Sequence, residues 1–595
     1  MPRPRSAAPL LVSLAVLALG AGCNRCPSPP LAAAEPNAGR PATAAPVSIT
    51  QTAPPQAPVQ ILNHDLACEL DPARHWLTAT ATVEWEGVAA SHDRLVFDLR
   101  PNLKITSLKA GDSGELTYGR DRGGAVTVRL PRPLAAGEKT TMNVAYAGEI
   151  NGPRGGANKQ RVWDYVGPEG TYVRFEAGWY PQLTGDSATA DISIKVPAGW
   201  SAVSSGKLVS SDGDVWHWRT DIPAMGLSFA AAKYVVTDGK AGSIPLQCHT
   251  FPQHARRARE YLAHCAEILT LYERLYGPYP FPKFALAEIP DLYGGGHGDQ
   301  SFIMLQERSF RDPLDGEFLA HEMAHNWWGS LLLCTESEFM QEGFATYSQA
   351  LYREHTGGQA ALQQAMKAQA ETVLINSLDP GKEQSCYESD SGPLLYEKGS
   401  WILHMLRGLI GDDKWFATVK AFATEHAGQI VTCAQLQEAF EQVHGDALDW
   451  FFKQWLYGKG VPWVRAHIVS REPGAVTIKL TQRLVAGEGR AAAGETWKTR
   501  PCSFRLPVDV ALEHAGGTVR QTVWLTQPDQ ETKISVPGAV TALALDPDCR
   551  LLCHSKGLVG ELDEEMGDLQ KNLDREMRDL DKGLERDLKD LDAYH

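Results

Sequence analysis

The stretch His321-Glu322-Met323-Ala324-His325-Asn326-Trp327-Trp328-Gly329 decides how this chain is read. It is a His-Glu-x-x-His motif on an apolar background of Phe318, Leu319, Ala320, Met323 and Ala324. On a helix, His321 and His325 fall one turn apart on the same face. Two imidazoles so placed can grip one zinc ion, and Glu322 beside them can take a proton from an attacking water. A catalytic zinc needs three protein ligands and an open position. With two neutral histidines, an anionic third ligand is expected. Gln341-Glu342-Gly343-Phe344-Ala345-Thr346-Tyr347 supplies it, because Glu342 opens an apolar-periodic helix (Phe344, Tyr347, Leu351) that can run back beside the first. Glu336 and Glu338 are rivals by position, but they fall in the connecting loop.

Together these two segments resemble the gluzincin aminopeptidases of the aminopeptidase N and leukotriene hydrolase family. The resemblance implies a zinc-dependent aminopeptidase with one zinc held by His321, His325 and Glu342, and with Glu322 as the proton acceptor. In that family about eighteen residues separate the second histidine from the third ligand. Here sixteen separate His325 from Glu342. Leu395-Tyr396-Glu397-Lys398-Gly399 resembles the family's Tyr-Glu-Lys-Gly, which makes Tyr396 the expected donor to the oxyanion. Gly294-Gly295-Gly296-His297-Gly298-Asp299-Gln300 stands where the family carries Gly-x-Met-Glu-Asn on an edge strand of the substrate groove. Asp299 then takes the place of the amine-binding glutamate, while His297 and Gly298 are unlike the family. Arg174-Phe175-Glu176 resembles the family's Gln-Phe-Glu, so Glu176 is expected to hold the substrate α-amine alongside Asp299.

The resemblance spans roughly residues 60–460 and points to the shorter members, which lack a C-terminal helical superhelix. It implies a multidomain α+β fold with an N-terminal β-saddle domain and a thermolysin-like, mainly helical catalytic domain. The pattern of the chain agrees in outline. Period-two runs such as Ala79, Ala81, Val83 and Trp85 mark residues 59–240 as all-β. Steps of three and four through Tyr261, Leu262, Cys265, Ile268, Leu269, Tyr272 and Leu275 open a helical region over 241–460. Alternation returns over 461–555, where a β-sandwich is expected. Residues 556–595 form an eleven-residue repeat (Leu562, Leu573 and Leu584 in phase) that reads as a charged helix. Its apolar stripe offers a surface for self-association.

Residues 1–22 read as a signal peptide: Arg3 and Arg5 precede the apolar run Pro9–Leu19. Gly20-Ala21-Gly22-Cys23 resembles a lipoprotein cleavage box, with Cys23 as the lipidated residue. Residues 23–58, rich in Pro and Ala, read as a tether. The expected setting is the bacterial cell envelope, with contact to the membrane through the lipid anchor only. Ten further cysteines permit disulfides in that setting, and Cys549, Cys553 and His554 read as a structural group. A formal net charge of −15 argues against a nucleic-acid partner. The expected partners are peptide substrates. Two other readings stay open: a zinc endopeptidase or other amide or ester hydrolase of the same fold, and a non-catalytic envelope scaffold.

Overall fold

Alternation translates directly into a buried and an exposed face. Ala79, Ala81, Val83 and Trp85 are all buried, while Thr78 and Thr80 face outward. Their strand, Trp76–Gly87, pairs antiparallel with Val59–Asp71 in a register that sets Cys68 opposite Ala79, Leu66 opposite Ala81 and His64 opposite Val83. Five more strands extend this sheet to seven. A four-stranded sheet follows, in the order Ser201–Ser204, Phe229–Ala232, Gly170–Val173, Tyr165–Gly167. Its members are buried throughout. The computed structural model describes residues 59–88, 92–111, 114–151, 162–311, 313–377, 384–485 and 499–554. The expectations for the signal segment, Cys23, the tether and the repeat tail fall outside these residues.

The helical region begins with a sheet that periodicity did not announce. Its order is Val235–Ala241, Ile244–Thr250, Phe284–Ile289, Phe302–Gln306, Gly296–Asp299. Phe284–Ile289 is buried at all six positions, so it shows no alternation to read. The glycine-rich Gly296–Asp299 forms the edge, antiparallel to Phe302–Gln306. Eight α-helices are described: α1 (Ala258–Tyr276), α2 (Glu307–Arg311), α3 (Gly316–Ala324), α4 (Phe344–Ser377), α5 (Tyr396–Ile410), α6 (Asp412–Glu425), α7 (Cys433–His444) and α8 (Asp449–Trp455). α4 bends at Gly358, which takes a φ of 72°. Among the described residues no helix is long and apolar enough to cross a membrane.

The β-rich region and the helical region share a core. Ala285, Ala287, Ile289, Phe302 and Met304 pack in the same cluster as Val173 and Phe229. Lys283 crosses the same seam: its Nζ donates to the carbonyls of Ser204 and Ser301 and to the Ser301 hydroxyl, each at 3.1 Å. Beyond α8, two sheets (Trp463–Glu472, Ala475–Val485, Thr499–Pro501 and Asp529–Ser535; Gly517–Leu525, Leu506–His514 and Val540–Leu545) fill their interior with Ile478, Leu480, Val508, Val510 and Leu525. Cys549 and Cys553 are buried there, and His554 stacks on Trp463.

Burial holds His64, His249 and His554 neutral, with pKa values pushed down to about 3. In the unfolded chain they titrate near ~6.5. Below that pH the unfolded state binds more protons than the folded one. Each histidine therefore removes up to about 1.4 kcal/mol of stability per pH unit until its folded pKa is reached. Urea unfolding, with chelator present at every pH so that metal loss does not contribute, is expected to show a midpoint that falls steadily from pH 6.5 to 4. A flat midpoint over that range would contradict neutral burial.

Candidate metal centre and active-site cleft

Asp315 starts α3: its carboxylate accepts hydrogen bonds from the backbone N–H groups of Glu317 and Phe318. Leu319, Ala320 and Met323 then bury one face of the helix completely. That anchoring turns His321, Glu322 and His325 toward a cleft of about 840 Å³. The carbonyl of Trp328 lies 3.2 Å from His325 Nδ1. A carbonyl only accepts, so Nδ1 carries the proton and Nε2 presents its lone pair.

Glu342 sits not in the first turn of an α-helix, as the periodicity suggested, but in a π-helical turn, Phe339–Gly343, that runs into α4. The wider turn re-aims its carboxylate. Oε2 lies 3.3 Å from His321 Nε2 and 3.6 Å from His325 Nε2. The three ligand atoms lie within 4.8 Å of one another. Oε2 is buried and lacks a well-formed hydrogen bond, the mark of an atom awaiting a cation. Burial would raise this carboxyl, but the imidazoles of His325 and His321 outweigh it and hold its pKa at about 2. Two imidazole nitrogens and one carboxylate oxygen suit zinc. The sixteen-residue connection therefore reaches. It is held by backbone N–H groups of Gly428, Leu333 and Val431, which donate to the carbonyls of Leu331, Gln429 and Leu333 respectively.

Glu322 is 6% exposed, and burial raises its pKa against the pull of His321 and His325. The edge strand approaches it closely. A Cβ on Gly296 would lie 2.5 Å from Glu322 Oε1, and one on Gly298 would lie 2.7 Å from His325 Cβ. Period two therefore assigns the glycines to the face against α3, and His297 and Asp299 to the other face.

Tyr396 opens α5. Its ring stacks on His321 with centroids 6.1 Å apart, and its hydroxyl interacts with the Glu342 carboxylate. Burial first, and Glu342 and Glu322 next, raise its pKa and keep it protonated. The element carrying Glu342 and the element carrying Tyr396 meet at two glycines. A Cβ on Gly399 would lie 2.9 Å from the Gly343 Cα. These are the glycines of Glu-Gly-Phe and Tyr-Glu-Lys-Gly. Lys398, the neighbour of Gly399, is fully buried and donates to the Gly458 carbonyl at 3.1 Å.

Glu176 lines the same cleft, delivered by a short 3-10 turn, Phe175–Ala177, after the strand Gly170–Val173. Arg174 pairs with it at 3.2 Å and lies over the rings of Trp163 and Tyr293. Asp299 does not line this cleft. It borders a pocket of about 40 Å³ behind the wall, where it accepts from the Gln300 N–H. His297 stands on the wall in front of it, with Nε2 3.8 Å from Asp299 Oδ2. Burial opposes charging of His297, but Glu176 and Asp299 prevail and raise its pKa. Arg174 and His297 are thus cleft residues that the motif reading did not assign. The signal for His297 was present: one large ring among the four glycines 294–296 and 298.

A candidate metal triad borne on helical turns, a buried glutamate beside it and a tyrosine stacked on His321 make the arrangement that the resemblance to the gluzincin peptidases implies. Residues 261–455 match the peptidase family M1 domain. The chain is 21% identical over 393 residues to aminopeptidase N of Streptomyces lividans, covering 60% of this chain and 44% of that protein. It is 24% identical over 434 residues to aminopeptidase B of Rattus norvegicus, covering 63% and 64%. With the mouse aminopeptidase B the identity is 24% over 496 residues, covering 72% and 74%. Against the first two of these relatives the match spans less than two thirds of the relative's length. The matched stretch runs from α1 to the end of α8 and carries the candidate metal triad, Glu322 and Tyr396.

Proposed function

We propose that the chain is a zinc-dependent aminopeptidase that removes N-terminal residues from peptides. The observation that carries this reading is the convergence of His321, His325 and Glu342 in one cleft with Glu322, Tyr396 and Glu176. Zinc bound there supplies a Lewis acid that acidifies water and polarises the scissile carbonyl. Glu322 takes the proton of the attacking water and passes it to the leaving amine, a task suited to a carboxyl whose burial favours the protonated form. Tyr396 donates its O–H to the carbonyl oxygen as negative charge develops. Glu176 and Asp299 are the carboxylates that recognise the substrate α-amine. Glu176 makes the direct contact, and Asp299 acts from behind His297. The accompanying fold reading is a β-saddle, a thermolysin-like catalytic domain and a β-sandwich.

Arg174 and His297 beside Glu176 favour a second reading, an endopeptidase or other amide hydrolase that does not require a free amine. A dipeptide amide and its N-acetyl form separate the two. The aminopeptidase reading expects at least about 10²-fold higher kcat/KM for the free amine, because acetylation removes the charge and the N–H donors that Glu176 would bind. Equal rates would favour the second reading.

Export with a lipid on Cys23 and self-association through residues 556–595 complete the proposal. Palmitate labelling that persists in Cys23→Ser would remove the anchor, and an unchanged sedimentation coefficient after truncation at Gly557, beyond the loss of mass, would remove the tail's role.

A further inference from the structure

The loop that joins the second histidine ligand to Glu342 makes another cluster on its way. Backbone pairing of Leu331–Leu333 with residues 428–431 carries Cys334 to the N-terminus of α7, where Cys433 is the first helical residue. Glu336, two positions further along the loop, accepts the Cys433 backbone N–H through Oε1 at 2.6 Å. The two sulfurs and a Glu336 oxygen lie within 4.8 Å of one another. The cysteines are 2% and 0% exposed and are not joined to each other, whereas Glu336 reaches solvent.

We propose that Cys334, Cys433 and Glu336 form a second metal site, for a thiophilic divalent cation of the zinc type, that clips the ligand-bearing loop to α7. Two thiolates and a carboxylate make a donor set that zinc accepts, with the exposed side of Glu336 leaving room for a water as fourth ligand. Metal–ligand bonds of about 2.0–2.3 Å require only a small contraction of the present spacing. The clip would act on the catalytic ligand through one residue, because Gln341 Nε2 donates to the Cys334 carbonyl at 3.2 Å and Glu342 follows Gln341. Among the described residues a third cluster with ligand spacing, His254, Glu288 and Glu307, differs in kind. Its buried Glu288 is already engaged by His254 at 2.6 Å and by the Phe251 N–H at 2.8 Å.

Metal analysis of the full chain tests the site independently of activity. The expected result is two zinc ions per chain in the wild type, and one in Cys433→Ser and in Cys334→Ser. His321→Ala/His325→Ala is also expected to hold one, the complementary ion, so loss of the catalytic centre and loss of the clip are distinguishable. Cobalt loaded into the wild type is expected to show a thiolate-to-metal absorption band in the near ultraviolet that Cys433→Ser lacks. If a serine variant fails to fold, a mercurial added to the native wild type is expected to release one zinc and leave the other. One zinc per chain with an intact mass ~2 Da below the reduced value would overturn the proposal in favour of a disulfide. So would one zinc with both thiols open to alkylation after mild unfolding.

Discussion

Glu322→Gln is expected to keep the catalytic metal and to lose kcat by about 10⁴-fold, the upper end for general acid–base catalysis, because one carboxyl serves both proton transfers. The substitution is nearly isosteric, so it disturbs neither α3 nor the close approach of Gly296. Glu322 is not among the three atoms that can hold the ion, so metal content is unchanged. An amide cannot accept the proton of the attacking water. Steady-state kinetics together with metal analysis check this, and a variant with near wild-type turnover and full metal content would remove Glu322 from the mechanism.

Removing the third ligand is expected to act on metal first and turnover second. Glu342→Ala leaves two neutral histidines, and the affinity for the ion is expected to fall by more than the ~10²-fold typical of losing a supporting outer-shell partner. Competition with a chromogenic chelator reads that loss directly. The variant is expected to lack the catalytic ion after dialysis and to regain little activity at micromolar zinc. Full metal retention would mean that another carboxylate can serve. Glu338 is the nearest alternative by position, since it lines the same cleft.

The convergence of the candidate ligands was legible because these residues carry their chemistry in their spacing: His321 and His325 on one helical face, and Glu342 at the head of another periodic segment. The π-helical turn under Glu342 was not legible. Nothing in Phe339–Gly343 distinguishes an α from a π turn, because the choice is made by packing against Gly399 and by the short connection from His325. The strands Phe284–Ile289 and Phe302–Gln306 were hidden for a related reason. Runs buried on both faces have no period. Asp299 was placed by analogy with a glutamate, but it lies two residues beyond His297 on the same strand face, beside the small pocket behind the cleft wall. The strand instead brings His297 to the wall, a position that follows from pairing Gly296 with Leu305 and not from composition.

The meeting of Gly343 and Gly399 has a mechanical meaning. Side chains are the compliant part of a protein interior, since they change rotamer and absorb small displacements of the elements they separate. Where two peptide backbones touch, that cushion is missing. The gap between the carboxylate of Glu342 and the hydroxyl of Tyr396 is therefore gauged largely by this main-chain approach, with the Phe339 ring wedged against the same joint. Thermal swelling or repacking elsewhere in the helical region can move the pair as a unit. It cannot easily change the distance across which a carbonyl oxygen must be held.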